Sequence, residues 1–265
     1  MVDKPKLGFF SFTCCEGCQF AALFVDDVLG ILESFDIQYF HLLKQKNRES
    51  DIDLAFVEGA ITSEREVKKL EEIREKSNFV VAFGACATHG GIPSQRNLLE
   101  DKELENYVYN QEMLEDSIEA TPVSEFIDID YFMYGCPIIE DEFVDFVRSY
   151  LEIATDKEGG RKDLTEKTRR ELRDLQPEEG PVCSECPRQG TEDCFLRQQK
   201  ECLGSITHKG CDALCPSNNI PCTMCRGPLE SSNVAKEINI FESFGIPKKE
   251  VLNKLRYFTN VEDES

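Results

Sequence analysis

The sequence predicts an α/β fold: a doubly wound parallel sheet in the first 155 residues, followed by a smaller, irregular, cysteine-rich domain. Three observations carry this. Short apolar runs alternate with stretches of helical apolar spacing through residues 1–155. A heavily charged segment, 156–180, then breaks the alternation. From Pro181 to Pro228 periodicity gives way to cysteine, proline and glycine. Strands alternating with helices imply βαβ units with right-handed crossovers, hence a parallel sheet covered on both faces.

The elements follow in order. Lys6–Phe12 (KLGFFSF) is a short apolar strand. Phe20–Phe35 has helical spacing through Phe20, Leu23, Phe24, Val28, Leu29, Ile31 and Leu32. Ile37–Leu43 is strand-like, and Leu54–Val57 is a buried strand leading into a charged helix over Ser63–Lys76. Phe79–Phe83 and Ile127–Tyr134 are further strands, and Glu140–Ile153 is an amphipathic helix. This is a flavodoxin-like arrangement. In Thr155–Gly180, 15 of 26 residues are charged, which reads as a solvated helix or linker. Pro177, Gly180 and Pro181 mark its end. The predicted domains are therefore 1–155, a linker over 156–180, and 181–265. The last of these ends in a helical tail, Asn233–Phe258, broken at Gly245–Pro247.

Thirty basic against 51 acidic residues give a net charge of −21. That excludes the basic footprint nucleic acid requires and disfavours an anionic membrane surface. No apolar run approaches the roughly 18–20 residues of a span, which predicts no direct membrane insertion. The opening MVDKPKLGFFSF lacks the apolar core and cleavage site of a secretory signal, which predicts a cytoplasmic chain. In that setting 13 cysteines, beside 3 histidines and no tryptophan, point to metal or redox chemistry rather than disulfides. An odd count cannot pair completely.

The fold prediction groups the N-terminal cysteines. Cys14, Cys15 and Cys18 follow the first strand, Cys86 follows FVVAFGA, and Cys136 follows YFMYG. The carboxyl ends of parallel strands share one edge, where the ligand crevice of such sheets forms. Cys15, Cys18, Cys86 and Cys136 therefore meet there, beside Gly17, Gly84 and Gly135, as a four-cysteine metal site. Glu58 ends another strand at the same edge. The C-terminal run has eight cysteines: Cys183, Cys186, Cys194 and Cys202 form one set in sequence order, and Cys211, Cys215, Cys222 and Cys225 the next. Cys14 is left over. Zinc and iron–sulfur clusters both accept four cysteines, and two CxxC pairs suit a zinc ribbon. Ligands drawn from three separate strands, and three soft-ligand sites in so small a chain, favour iron–sulfur over a non-redox zinc-binding interaction module.

CCEGCQ after the first strand, VEGAI at 57–61, GACATHGG at 84–91 and YGCP at 134–137 resemble the small subunit of [NiFe] hydrogenases. So does the run PVCSECP…ECLGSITHKGCDALCPSNNIPCTMCRGP. The similarity covers about residues 5–230 and is closest to the cytosolic branch, including sulfhydrogenase delta subunits and small subunits of hydrogenases that do not reduce the deazaflavin F420. The resemblance implies three [4Fe–4S] clusters: proximal on Cys15, Cys18, Cys86 and Cys136; medial on Cys211, Cys215, Cys222 and Cys225; distal on Cys183, Cys186, Cys194 and Cys202. It implies a relay of electrons between the Ni–Fe centre of a separate large subunit and a flavin- or iron–sulfur-containing acceptor subunit. The tandem Cys14–Cys15 is also similar to the quinone-side iron–sulfur subunit of respiratory complex I, which leaves a related complex without hydrogenase activity as an alternative.

The resemblance gives Glu16 a candidate role in proton relay at the Ni–Fe interface, against that of a solvated carboxylate. Glu58 is expected either to order the proximal loop or to cap its strand. His89 is expected at the cluster edge or in a simple turn. His41 and His208 are expected to be structural or exposed. Arg226 is expected either to hydrogen-bond near a sulfide or to form a salt bridge.

Overall fold

A computed structural model describes residues 3–48, 51–99, 116–156 and 158–259. β1 (Lys6–Ser11) leads through α1 (Gly17–Leu23) and α2 (Val28–Glu33) to β2 (Asp36–Phe40). β3 (Ile52–Glu58), β4 (Ile61–Ser63), α3 (Glu64–Lys76) and β5 (Ser77–Phe83) follow. After α4 (Ala85–His89) come β6 (Ser117–Thr121), β7 (Tyr131–Met133) and α5 (Glu140–Ala154). Five strands form one parallel sheet in the order β2-β1-β3-β5-β7. The chain runs outward in both directions from β1 and β3, so the predicted doubly wound, flavodoxin-like sheet is present, with its switch point between them.

Alternating side chains build a core on each face. Phe9, Phe56 and Phe83 pack with Phe143 and Phe146 of α5, and Phe9 stacks on Phe56 at 4.7 Å. Phe10, Val57, Val80 and Ala82 face Leu70 and Ile73 of α3. All seven residues of β3 are buried, as a central strand covered on both sides requires. Helix α3 starts at the Ser63 cap, whose side chain accepts the Glu66 amide.

Three local expectations change, and one strand pair is new. The helix expected over Phe20–Phe35 is two helices, because Asp26 and Asp27 are poor helix-interior residues; the chain restarts where the Ile31 amide reaches the Asp27 carbonyl. The strand expected over Ile37–Leu43 stops at Phe40, where Asn47 takes the Phe40 amide and a turn begins. The strand expected over Ile127–Tyr134 contracts to Tyr131–Met133. The Asp130 carboxylate takes the Val80 amide at 2.9 Å while the Asp130 amide reaches the Val80 carbonyl, so a side chain replaces one ladder bond. β4 and β6, which pair antiparallel, have no counterpart in the sequence reading.

The charged segment is not a free linker. Its helix α6 (Glu166–Arg173) buries Leu172 against the first core, and Gln176 bonds both the amide and the carbonyl of Phe132 on edge strand β7. Beyond Pro181 the chain is mostly turns, with a short α7 (Leu214–Ser217). The tail helices α8 (Val234–Ser243) and α9 (Lys248–Leu255) break at Gly245–Pro247, as expected. They supply what the cysteine-rich loops lack: Phe241, Val251 and Leu255 close a small core with Leu203, Ile206 and Met224. Among the described residues no helix is long and apolar enough to cross a membrane.

Candidate metal centres

β1, β5 and β7 are parallel, so the loops that leave them converge at one edge. Cys15 and Cys18 flank Gly17 at the start of α1, Cys86 stands in α4, and Cys136 follows Gly135 beyond β7. Two short bonds tie the β5 and β7 loops together, Gly84 amide to Met133 carbonyl and Ala85 amide to Gly135 carbonyl, at 2.9 and 2.7 Å. A Cβ on Gly84 would lie 2.2 Å from the Cys18 sulfur, and one on Gly91 would lie 2.7 Å from the Cys86 sulfur. Both residues also have positive φ, 85° and 54°, so glycine serves conformation and close approach together. A cleft of about 610 Å³ opens here, with Cys14, Cys15, Cys86 and Cys136 in its lining. Glu58 orders the loop: its carboxylate takes the amides of Cys18 (3.1 Å) and Gln19 (3.2 Å) and the Gln19 side chain (3.0 Å).

The thiols influence one another. Burial first, then Cys136 and Cys14, push the Cys86 thiol up to about 12. Burial, then Cys15 and Cys225, push Cys136 up to about 11. Cys18 is raised further, by burial and then by Glu58. Cys14 is raised to about 12, again by burial and then Glu58. Grouped, desolvated thiols of this kind ionise when a metal centre supplies the compensating positive charge.

The C-terminal thiols also influence one another. Burial, then Cys202, Cys186 and Cys194, raise Cys183 to about 12. Burial raises Cys225, the backbone of Cys136 opposes this, and Cys215 adds to the rise. Cys211 is raised by burial and feels Cys225. Cys222 stands between the sets: burial raises it to about 12, and Cys202 and Cys225 both act on it. Its amide donates to the Cys202 sulfur at 3.4 Å.

The remaining residues resolve clearly. Arg226 is 2% exposed and forms a salt bridge. Its guanidinium bonds Glu142 of α5 (2.8 Å) and the carbonyls of Tyr134 and Lys209 (both 2.9 Å). His89 is not a simple turn residue. Its Nε2 bonds the Arg226 carbonyl at 3.2 Å and its ring stacks on Tyr134, which stacks in turn on His208 at 4.1 Å. Burial and then His208 push His89 down to about 4, so the neutral ring donates that bond. A Cβ on Gly227 would lie 1.8 Å from His89 Nε2. His208 is buried beside the Pro181 bridge, and His41 is exposed, bonded to Tyr39. Glu16 is half-buried with a left-handed backbone (φ 60°) at the head of α1. The sequence reading missed Glu142. Its only signal was its place in the acidic first turn of an amphipathic helix.

The family described as NADH ubiquinone oxidoreductase, 20 Kd subunit, matches residues 15–150. Over nearly its whole length the chain is similar to sulfhydrogenase 2 subunit delta of Pyrococcus furiosus, 32% identical over 255 residues, covering 96% of this chain and 98% of that one. The chain belongs to the hydrogenase small-subunit branch of this family. A subunit of the vhu F420-non-reducing hydrogenase of Methanocaldococcus jannaschii is 31% identical to this small subunit over 258 residues, covering 86% of it and 83% of the relative. The fold of the small subunit is also that of a solved chain from the Dm. baculatum [NiFeSe]-hydrogenase (TM-score 0.58, 17% identity, 85% of this chain and 95% of that one).

Proposed function

We propose that this small subunit is the electron-transfer subunit of a cytosolic [NiFe] hydrogenase, holding three [4Fe–4S] clusters on the twelve cysteines grouped above. Such clusters, when bound, take up and release single electrons between a large subunit that activates H2 and an acceptor subunit. The observation that carries the reading is a pair of junctions. Arg226, which follows Cys225, donates to the carbonyl of Tyr134, two residues before Cys136, at 2.9 Å, joining the medial set to the proximal set. The Cys222 amide bonds the Cys202 sulfur, joining the medial set to the distal set. Both junctions support the order proximal, medial, distal.

The thiols fit clusters better than single ions. The proximal cysteines come from the ends of three separate strands, whereas structural zinc usually draws its ligands from closely spaced pairs. Cys15, Cys86 and Cys136 line an open cleft, which suits a large-subunit partner bringing H2 chemistry to that side. The distal loop between Cys183 and Cys202 is largely exposed, which suits a flavin- or iron–sulfur-containing acceptor there. Glu16, next to Cys15 in the chain, is the residue proposed to pass a proton across the first of these interfaces.

The test is anaerobic purification with the co-purifying subunits. About twelve iron atoms with acid-labile sulfide per chain support the reading. Two or three zinc ions without sulfide would leave a zinc-binding interaction module instead. Twelve iron atoms with no nickel in the partner would point to a complex I-like assembly without hydrogenase activity.

A further inference from the structure

Glu185 lies between Cys183 and Cys186, yet its carboxylate serves another loop. Its Oε1 accepts the amides of Gly210 (3.1 Å), Cys211 (3.0 Å) and Ala213 (3.2 Å), and its Oε2 takes the Gly210 amide at 3.0 Å. The receiving loop is wound for this: Gly210, Asp212 and Ala213 have φ of 110°, 49° and 48°. Two successive non-glycine residues in the left-handed region are uncommon. The winding turns several amides toward one point, which is an anion nest, and here the chain supplies its own anion. The Cys211 amide is thereby given to a carboxylate.

We propose that Glu185 is a positioning residue that fastens the medial loop to the distal loop and makes the medial centre harder to reduce than a neutral side chain would. A fixed negative charge opposes the added electron, and the nest fixes that charge beside Cys211. The proposal rests on the reading of Cys211, Cys215, Cys222 and Cys225 as the ligands of one cluster.

The experiment uses the complete, anaerobically purified complex as wild type, Glu185→Gln and Glu185→Asp. Each is titrated with redox dyes while the individual paramagnetic signals are followed. Glu185→Gln keeps an amide-accepting oxygen and loses the charge. It should raise the reduced-to-oxidised ratio of the medial signal about tenfold at fixed potential, about 59 mV for one electron, leaving the proximal signal in place. Glu185→Asp keeps the charge on a shorter arm. It should leave the medial potential near wild type while amide exchange over Gly210–Ala213 speeds up. If Glu185→Gln sheds medial iron, the aspartate variant decides, and a medial rise as large as tenfold there overturns the proposal. A wild type with no medial signal sinks both this proposal and the cluster reading. A wild-type medial signal that Glu185→Gln leaves unmoved sinks this proposal alone.

Discussion

Replacing Arg226 by methionine keeps most of the side chain's volume and removes its charge from a site where it is 2% exposed. The loss is large because the partners stay behind. Glu142 keeps a carboxylate whose side chain is 12% exposed, and the carbonyls of Tyr134 and Lys209 lose a donor at 2.9 Å. Breaking one side of a buried ion pair costs about 3–5 kcal/mol. The variant should therefore unfold at lower urea than wild type under anaerobic conditions, by about that amount. The double variant with Glu142→Gln should recover about 2 kcal/mol of the summed single losses. The pH dependence fixes the cause. Burial already holds the Glu142 carboxyl above its ordinary range, with Arg226 pulling it back. Without Arg226 it rises further. A carboxyl whose folded value lies above the unfolded one costs stability as pH climbs between the two, so the variant's deficit should shrink toward mild acid. Single losses that add within about 0.5 kcal/mol, or a deficit flat with pH, would refute the ion-pair account.

Asp130→Asn removes the carboxylate that anchors the charged segment. Burial raises Asp130, but bonds from Arg74 at 2.6 Å, the Val80 amide and Arg173 outweigh it and hold the carboxyl below its ordinary range. Its contribution is present above the unfolded value and is lost as pH falls through the folded one; the variant should lose about 3 kcal/mol at neutral pH, read by urea unfolding, and little at strongly acid pH. Gly84→Ala places a methyl 2.2 Å from the Cys18 sulfur at a φ of 85°, and should cost about four iron atoms per chain without unfolding the sheet, read by iron analysis and circular dichroism. Cys86→Ser should disrupt the proximal signal and uncouple H2 oxidation from acceptor reduction, whereas Cys183→Ser should disturb chiefly the outermost signal; the loss of the innermost signal alone in Cys183→Ser would show the grouping to be wrong.

The sheet was legible because burial on two faces writes itself into the sequence as continuous apolar runs, LAFV and FVVAF among them. Once parallel topology is granted, residues as far apart as Cys15 and Cys136 must share an edge. What the pattern concealed depends on single polar side chains. Asp130 shortens a strand by standing in for its ladder, and Gln176 binds a charged segment to β7. Neither bond has a period. The charge of 156–180 reads as solvation because Leu172, the one fully buried residue among those described there, and Leu164 and Leu175, which pack partly against the same core, are sparse apolar positions among charged ones. The small core under the cysteine loops was hidden for a different reason: its other half comes from the two tail helices, which the cysteine pattern does not announce.

That contrast explains how the three sites are held. The edge of a sheet positions the proximal cysteines, since strand ends are fixed by the ladder and the two cores. The medial cysteines have no strand beneath them, and their place is set by side chains reaching in from both neighbours. Arg226 ties the residue after Cys225 to the loop before Cys136 and to α5, while Glu185 ties the residues around Cys211 to the distal loop. His89, stacked on Tyr134 and bonded to the Arg226 carbonyl, closes the first of these joints. A centre suspended in this way has its spacing and its electrostatics governed by the same few residues. Arg226 at Lys209 and Glu185 at Cys211 bring opposite charges to this loop, so under the proposed reading a change at either one alters how the medial loop is held and how readily a cluster bound there accepts an electron.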